Sequence, residues 1–286
     1  MNTDTLASLA GIRHVVLDLD GTVYNGGTLF PWTRPFLARL DALGIGFTFL
    51  TNNPSKSAAE YLAKLAALGL PATPDRLYTS ALALRDFLRA ERPELRRLFL
   101  LGTAGMRAEF TGSGFAETAD DPADRPDAVI AGFDLSLTYG RLCRAAWWVK
   151  QGLPYFATNP DFVCPTDAPT VLVDCGSICA AITAATGRAP DRVFGKPDPS
   201  MLAGILARHG LRAGEVAMVG DRIYTDIAMA KRAGCLGVLV LSGEATRADA
   251  AAAAGTGGAP DLVLENTGAL GELLDAAAAS HSLPRR

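Results

Sequence analysis

The stretch Val15-Val16-Leu17-Asp18-Leu19-Asp20-Gly21-Thr22-Val23 constrains this chain more than any other. Three apolar residues, two of them β-branched, lead into two acids separated by one leucine. A run that is apolar on both faces has no solvated side, so it reads as a central parallel strand covered above and below. Side chains at i and i+2 of a strand share a face, which makes Asp18 and Asp20 neighbours at its end, roughly 7 Å apart. Gly21 lets the backbone turn sharply just after them. Ligands of open α/β sheets bind beyond the carboxyl ends of the strands. Two carboxylates therefore stand where chemistry is expected.

The rest of the chain repeats the alternation. Thr33 to Leu43 has helical apolar spacing and stops at Gly44. Phe47-Thr48-Phe49-Leu50 reads as a second strand, ending in Thr51-Asn52-Asn53-Pro54. Ser57 and Glu60 form a capping-box pattern for a helix that runs to Leu68 and stops at Gly69. This β-α-β-α order predicts a parallel sheet with right-handed crossovers.

From about Tyr78 the pattern restarts. A helix is predicted around Leu82–Ala90, with strands at 98–101, 128–131, 154–157 and 170–173 and helices near Tyr139–Gln151 and Ser177–Thr186. The acidic, proline-containing stretch Ala116–Arg125 reads as loop. A third block begins near Pro190. It holds Gly195-Lys196-Pro197, a helix Ser200–His209, a strand Val216–Val219, then Gly220-Asp221 through Asp226 and a helix ending at Gly234. Strands at 238–241 and 261–264 complete it.

The predicted fold class is α/β, a doubly wound, Rossmann-like parallel-sheet core with an inserted α/β domain. Residues 1–79 and 188–286 form the predicted core, and 80–187 form the insertion.

Composition narrows the partners. A chain of 286 residues with a formal charge of −3 argues against nucleic acid as the main partner. The five cysteines follow no disulfide spacing, which points to a reduced, cytoplasmic setting. Met1–Leu6 has no basic, then apolar, leader pattern, and no run of apolar residues is long enough to predict a membrane span. The Ala/Gly-rich piece Ala245–Pro260 reads as an exposed helix and loop.

Four strand ends of the predicted sheet offer polar groups together: Asp18 with Asp20, Thr51 with Asn52, Lys196, and Asp221 with Asp226. Each has an ordinary reading. The acids can be turn or helix-cap residues, Thr51-Asn52 a strand-end cap, and Lys196 a loop lysine. Their coincidence beyond the strands of one sheet outweighs those readings. Two carboxylates about 6 Å apart repel by about 3 kcal/mol at an effective dielectric of 20. A hard divalent cation that takes oxygen ligands and bridges carboxylates resolves it.

The ordered set resembles the haloacid dehalogenase-like (HAD) superfamily. Within it, Thr51-Asn52-Asn53-Pro54-Ser55-Lys56-Ser57, Ala157-Thr158-Asn159-Pro160-Asp161, Gly195-Lys196-Pro197-Asp198-Pro199 and Val219–Ile227 resemble the subfamily of NagD, 4-nitrophenylphosphatase, phosphoglycolate phosphatase and pyridoxal phosphatase, whose cap is the class IIA, C2 type. The resemblance implies a Mg²⁺-dependent phosphomonoesterase of small metabolites such as sugar phosphates, nucleoside monophosphates, phosphoglycolate or glycerol phosphate. Asp18 would be the nucleophile and form an aspartyl-phosphate, and Asp20 the general acid and then base. Mg²⁺ would be held by Asp18, the Asp20 carbonyl and Asp221, with Asp226 direct or through water. Thr51, Asn52 and Asn53 would hold phosphoryl oxygens near a helix N-terminus, and Lys196 would neutralise charge.

In this resemblance the insertion is a lid that selects the alcohol, with Asn159, Asp161, Phe162 and Cys164 as candidate contacts, and it is a candidate surface for a homodimer. A phosphomutase is the rival enzyme, although that class usually carries its cap after the first motif. A binder without turnover is the rival outside enzymes, and Asp20 speaks against it. Cys175 and Cys179, four apart, read as buried small hydrophobes rather than metal ligands. Trp147-Trp148 reads as half core and half surface, and His14, His209 and His281 as isolated.

Overall fold

The computed structural model describes residues 8–70, 72–164, 166 and 168–281, the last without its side chain. The readings made on Met1–Leu6 and on the His281 side chain lie outside them. The chain divides into two compact units: Met1–Leu50 with Ala67–Leu77 and Leu202–Arg286, and Thr51–Ala66 with Tyr78–Met201.

The first sheet has six strands. In space they run Leu262–Leu264, Leu236–Val240, Val216–Gly220, His14–Asp18, Gly46–Thr51, Leu77–Thr79. Taken in chain order this is 6-5-4-1-2-3, the doubly wound arrangement, and the order reverses between the first and fourth strands. Those two strands pair in parallel, with Leu17 opposite Val219. His14–Asp18 and Val216–Gly220 are buried along their whole lengths, as continuous apolar runs demand. The expected first strand is present, but it stops at Asp18. Amides of Thr22, Val23 and Tyr24 close a turn on the Leu19 carbonyl. Asp20 is therefore in that turn and exposed, whereas Asp18 is buried. The shared face inferred from strand periodicity ends where the strand does.

Helix Ala58–Ala67 starts as its capping pattern predicts. Glu60 Oε2 accepts the Ser57 N–H at 2.7 Å, and Ser57 Oγ accepts the Glu60 N–H at 3.3 Å. The Ser57 N–H first, then the Ser57 hydroxyl donating to the same oxygen at 2.9 Å, hold the Glu60 carboxyl below its usual range.

The second sheet has five strands in the spatial order Arg192–Val193, Tyr155–Ala157, Ala128–Ala131, Arg97–Leu101, Ala116–Glu117, all parallel. Helices Tyr139–Lys150 and Cys175–Thr186 bury Trp148, Val149, Ile178 and Ile182 against Phe99, Val129 and Tyr155. Trp147 stays part-exposed under the Arg144 guanidinium.

Three expectations about elements are corrected. Ala116–Glu117 begins the predicted loop as an edge strand. The strand expected at 170–173 shrinks to Leu172–Val173, which pairs antiparallel with Val163–Cys164 outside the main sheets. The short strand Leu77–Thr79, buried at the edge of the first sheet, escaped notice because three residues carry no periodicity.

Of the histidines read as isolated, His14 and His209 are not. The His14 and His209 rings lie 4.5 Å apart, and His14 Nε2 is 2.8 Å from Thr48 Oγ1, which is 3.4 Å from His209 Nε2. Burial first, then the positive charges of His209 and Arg76, lower the His14 pKa from 6.5 to about 4. Between those values the unfolded chain binds the proton more tightly. Stability is therefore full above pH 6.5 and declines as pH falls through the window. The shift corresponds to about 3 kcal/mol by pH 4. His14→Gln is expected to flatten this decline in urea unfolding between pH 7 and 4.5. Equal slopes for variant and parent would show that the imidazole does not carry it.

Candidate active site

Three buried carboxylates converge at the point where the strand order reverses. Among the described residues, Asp18, Asp221 and Asp226 each bring one ligand oxygen within 4.8 Å of the other two. Asp18 ends the first strand and Asp221 follows the fourth, so their side chains issue from adjacent strand ends. Asp226 arrives differently. Residues Ile223–Ile227 wind as a π-helical turn, and an ordinary α-helix begins only at Ala228. The helix expected after Asp226 ends at Gly234 as predicted, and the turn before it is π-helical, a feature common at functional sites. The wider turn brings Asp226 back to the strand end, where its Oδ2 accepts the Arg222 N–H at 3.1 Å. A Cβ on Gly220 would come within 2.2 Å of the Asp226 carboxyl carbon.

Asp221 is fixed by residues that the sequence reading passed over. Its Oδ2 accepts the Glu244 N–H at 2.7 Å, and its carbonyl accepts the Ala245 N–H at 3.0 Å. Ser242 Oγ donates to the Gly21 carbonyl at 2.7 Å. A Cβ on Gly21 would stand 2.2 Å from Asp221 Oδ2, and one on Gly243 would stand 2.0 Å from it. Two neighbouring glycines, the first with its added Cβ only 3.1 Å from the Cα of the second, therefore leave room for the carboxylate. The available signal was positional: Ser242-Gly243-Glu244 follows another strand of the same sheet.

Three like charges this close repel by about 3 kcal/mol per pair at an effective dielectric of 20. Their oxygens are the hard donors that a divalent cation of the magnesium or calcium type takes. The donor set and the space kept around Asp221 fit such an ion. Asp20 does not join the trio; its backbone bridges to Tyr24.

The other candidates gather in the second unit. Lys196 is buried and, contrary to the reading that put all four strand ends on one sheet, follows the edge strand Arg192–Val193 of the second sheet. Thr51 is buried, and its Oγ1 accepts the Asn53 N–H at 3.2 Å. The Asn52 carbonyl accepts from Ser80 Oγ at 2.6 Å, and the Asn53 carbonyl from Tyr61 Oη at 2.9 Å. Asn53 Oδ1 closes a local turn onto Ser55 N at 2.9 Å, and its Nδ2 lies 3.6 Å from Cys164 Sγ.

The helix N-terminus expected to welcome phosphate is already answered. Glu60 takes the Ser57 N–H and Glu109 the Ala58 N–H, the latter at 3.0 Å. Carboxylates there satisfy the dipole that a phosphate would otherwise use.

Asn159 is buried, with its amide committed to Asp161 and Asp174. Asp174 caps the helix Cys175–Thr186. Burial, reinforced by nearby Asp161, pushes its pKa up to about 6 against the hydrogen bonds from Asn159 and Cys175. Phe162 is exposed. Cys175 and Cys179 are buried with their sulfurs 3.8 Å apart, and burial raises the Cys175 thiol.

Residues 15–116 match the haloacid dehalogenase-like hydrolase family, and 193–270 match the HAD-hydrolase-like family. The chain belongs to the haloacid dehalogenase-like hydrolases. It is 38% identical to the solved 4-nitrophenylphosphatase of Thermotoga maritima, covering 93% of this chain and 98% of that one with a TM-score of 0.86. It is 32% identical to the acid sugar phosphatase of Staphylococcus aureus (strain USA300) over 82% of this chain and 88% of the relative. It is also 32% identical to the glycerol phosphate phosphatase of Mycobacterium tuberculosis, solved in complex with calcium, over 92% of this chain and 76% of that one, with a TM-score of 0.82. Within the family the chain is a phosphatase, a phosphoric monoester hydrolase. No helix among the described residues is long and apolar enough to cross a membrane.

Proposed function

We propose that this phosphatase hydrolyses small phosphorylated metabolites with Mg²⁺, through an aspartyl-phosphate on Asp18. The buried trio Asp18, Asp221 and Asp226 at the reversal of strand order is the observation that carries this reading. Asp18, Asp221, Asp226 and the Asp20 carbonyl would hold the ion, which when bound offsets the charge of carboxylates and phosphate.

The chemistry is then divided between two acids in unlike surroundings. A carboxylate oxygen of Asp18 forms a bond to phosphorus as the ester P–O bond breaks. Asp20, in the exposed turn, gives its proton to the departing alkoxide. It next takes a proton from water as that water's oxygen attacks phosphorus, which frees Asp18 and inorganic phosphate. The Lys196 ammonium and the Thr51 and Asn52 strand end neutralise and orient the phosphoryl oxygens.

Residues 80–187 serve as the lid that admits the alcohol and excludes water, and within the second unit their Asp161 and Cys164 meet the side chains of Asn52 and Asn53. Such a covering domain favours small esters over phosphoproteins. The relatives' substrates, sugar phosphates, glycerol phosphate and 4-nitrophenyl phosphate, mark the range to test. All five cysteines are free, which fits a cytoplasmic setting.

Phosphate release from 4-nitrophenyl phosphate, glycerol phosphate, a hexose phosphate and a nucleoside monophosphate is expected with Mg²⁺ and to fall to background with EDTA. Comparable turnover of phosphopeptides would count against the lid. Conversion of the hexose phosphate to its isomer without release would make the protein a mutase. Saturable binding with no turnover across the panel would make it a binder.

A further inference from the structure

The Lys196 peptide is held by a hydrogen-bond chain in which two carboxamides use every N–H they have. Asn52 Oδ1 accepts the Lys196 N–H at 2.6 Å. Asn52 Nδ2 donates to the Lys196 carbonyl at 3.0 Å and to Asp161 Oδ2 at 2.9 Å. Asn159 Nδ2 donates to the same Asp161 oxygen at 3.0 Å and to Asp174 Oδ1 at 3.1 Å. Asn159 Oδ1 accepts from Thr158 Oγ1 at 2.9 Å, and Asp174 Oδ1 accepts the Cys175 N–H at 2.5 Å. Turning either carboxamide over would set its oxygen against a carboxylate, so each has one orientation. Gly195, at φ +84°, completes the fit, because a Cβ there would lie 2.9 Å from Asn52 Oδ1.

We infer that Asp161 and Asn159 are positioning residues for Lys196, linking the capped end of the helix Cys175–Thr186 through Asn52 to the lysine peptide. This rests on the proposal that Lys196 acts on the phosphoryl group. The geometry explains why Asn159, expected at the substrate, is buried: both of its amide protons are taken. Asp161 is the pivot, since one of its oxygens receives both amides. Without that acceptor the Asn52 side chain loses an anchor, and the Lys196 backbone shifts with it. A misplacement of about 1 Å in a catalytic group costs on the order of 100-fold.

Asp161→Ala is expected to lower kcat by about 10- to 100-fold. KM should change little, and the factor should be the same for 4-nitrophenyl phosphate and glycerol phosphate. Asp161→Asn keeps an oxygen that can accept both amides and should restore most of the loss. In a Lys196→Ala background, Asp161→Ala should add nothing further, the signature of two residues acting as one. Losses that multiply, or a factor that differs strongly between the two alcohols, would mean that Asp161 touches the substrate and would overturn the inference. Unchanged kcat in Lys196→Ala alone would instead remove the role proposed for the lysine. Asn159→Ala, with Asp161 in place, should show the same pattern at smaller size, and it decides the matter if Asp161→Ala does not fold.

Discussion

Asp18→Asn is expected to lower turnover of 4-nitrophenyl phosphate by about 10⁴-fold or more, while the metal-free variant melts no lower than its parent. A carboxamide has the size of a carboxylate but cannot form the acyl phosphate at useful rate, so the loss falls on kcat. Stability should move the other way. Asp18, Asp221 and Asp226 lie within 4.8 Å of one another and are buried. Removing one of three charges relieves two repulsions, each about 3 kcal/mol at an effective dielectric of 20 before solvent relaxation. Sites that concentrate like charge give up stability for chemistry, and disarming them commonly returns some. Steady-state kinetics with a thermal melt in EDTA reads both quantities. Retained turnover would take Asp18 out of its role. Lost turnover with a much lower melting temperature would make the residue structural.

Gly243→Ala is expected to weaken activation by Mg²⁺ by about 10- to 100-fold, the range seen when the groups around a metal ligand are disturbed. Gly243 is not among the glycines at positive φ, so alanine meets no backbone strain there. It meets Asp221. The added Cβ would lie 2.0 Å from Oδ2 and 2.6 Å from the carboxyl carbon, distances that no side chain tolerates. The carboxylate must move, and with it the oxygen that receives the Glu244 N–H. The variant thus tests the metal proposal without altering any ligand. Activity titrated with Mg²⁺ should show a raised half-saturation and a recovered maximum at high concentration. An unchanged half-saturation would separate Asp221 from metal binding. Gly21→Ala perturbs the same oxygen but adds strain at φ +84°, so it is the less clean probe.

The strands at 98–101, 128–131 and 216–219 were legible because a buried parallel strand needs a continuous apolar run, and that requirement is local. The capping box at Ser57 and Glu60 was legible for the same reason: its partners are three residues apart. Asp18 and Asp221 could be named because the carboxyl ends of such strands are where an α/β sheet opens to ligand.

Local pattern could not say which sheet a short strand joins. Arg192–Val193 is two residues long, and its pairing with Tyr155–Ala157 carries Lys196 to the second sheet. Nor could it reveal the π-helical turn that returns Asp226 to Asp18, since a wider turn has no side-chain signature of its own.

The sequence by itself determined the alternation of strands and helices and the residue types at the strand ends, because each depends on neighbours a few positions away. Only the tertiary structure decided which acids share one ion-sized space, that Gly21 and Gly243 keep Asp221 in place, and that Asn52 meets Asp161 and Lys196 from 109 and 144 residues away. Those contacts follow from how strands are ordered in a sheet, a property of the whole chain that no window along it contains.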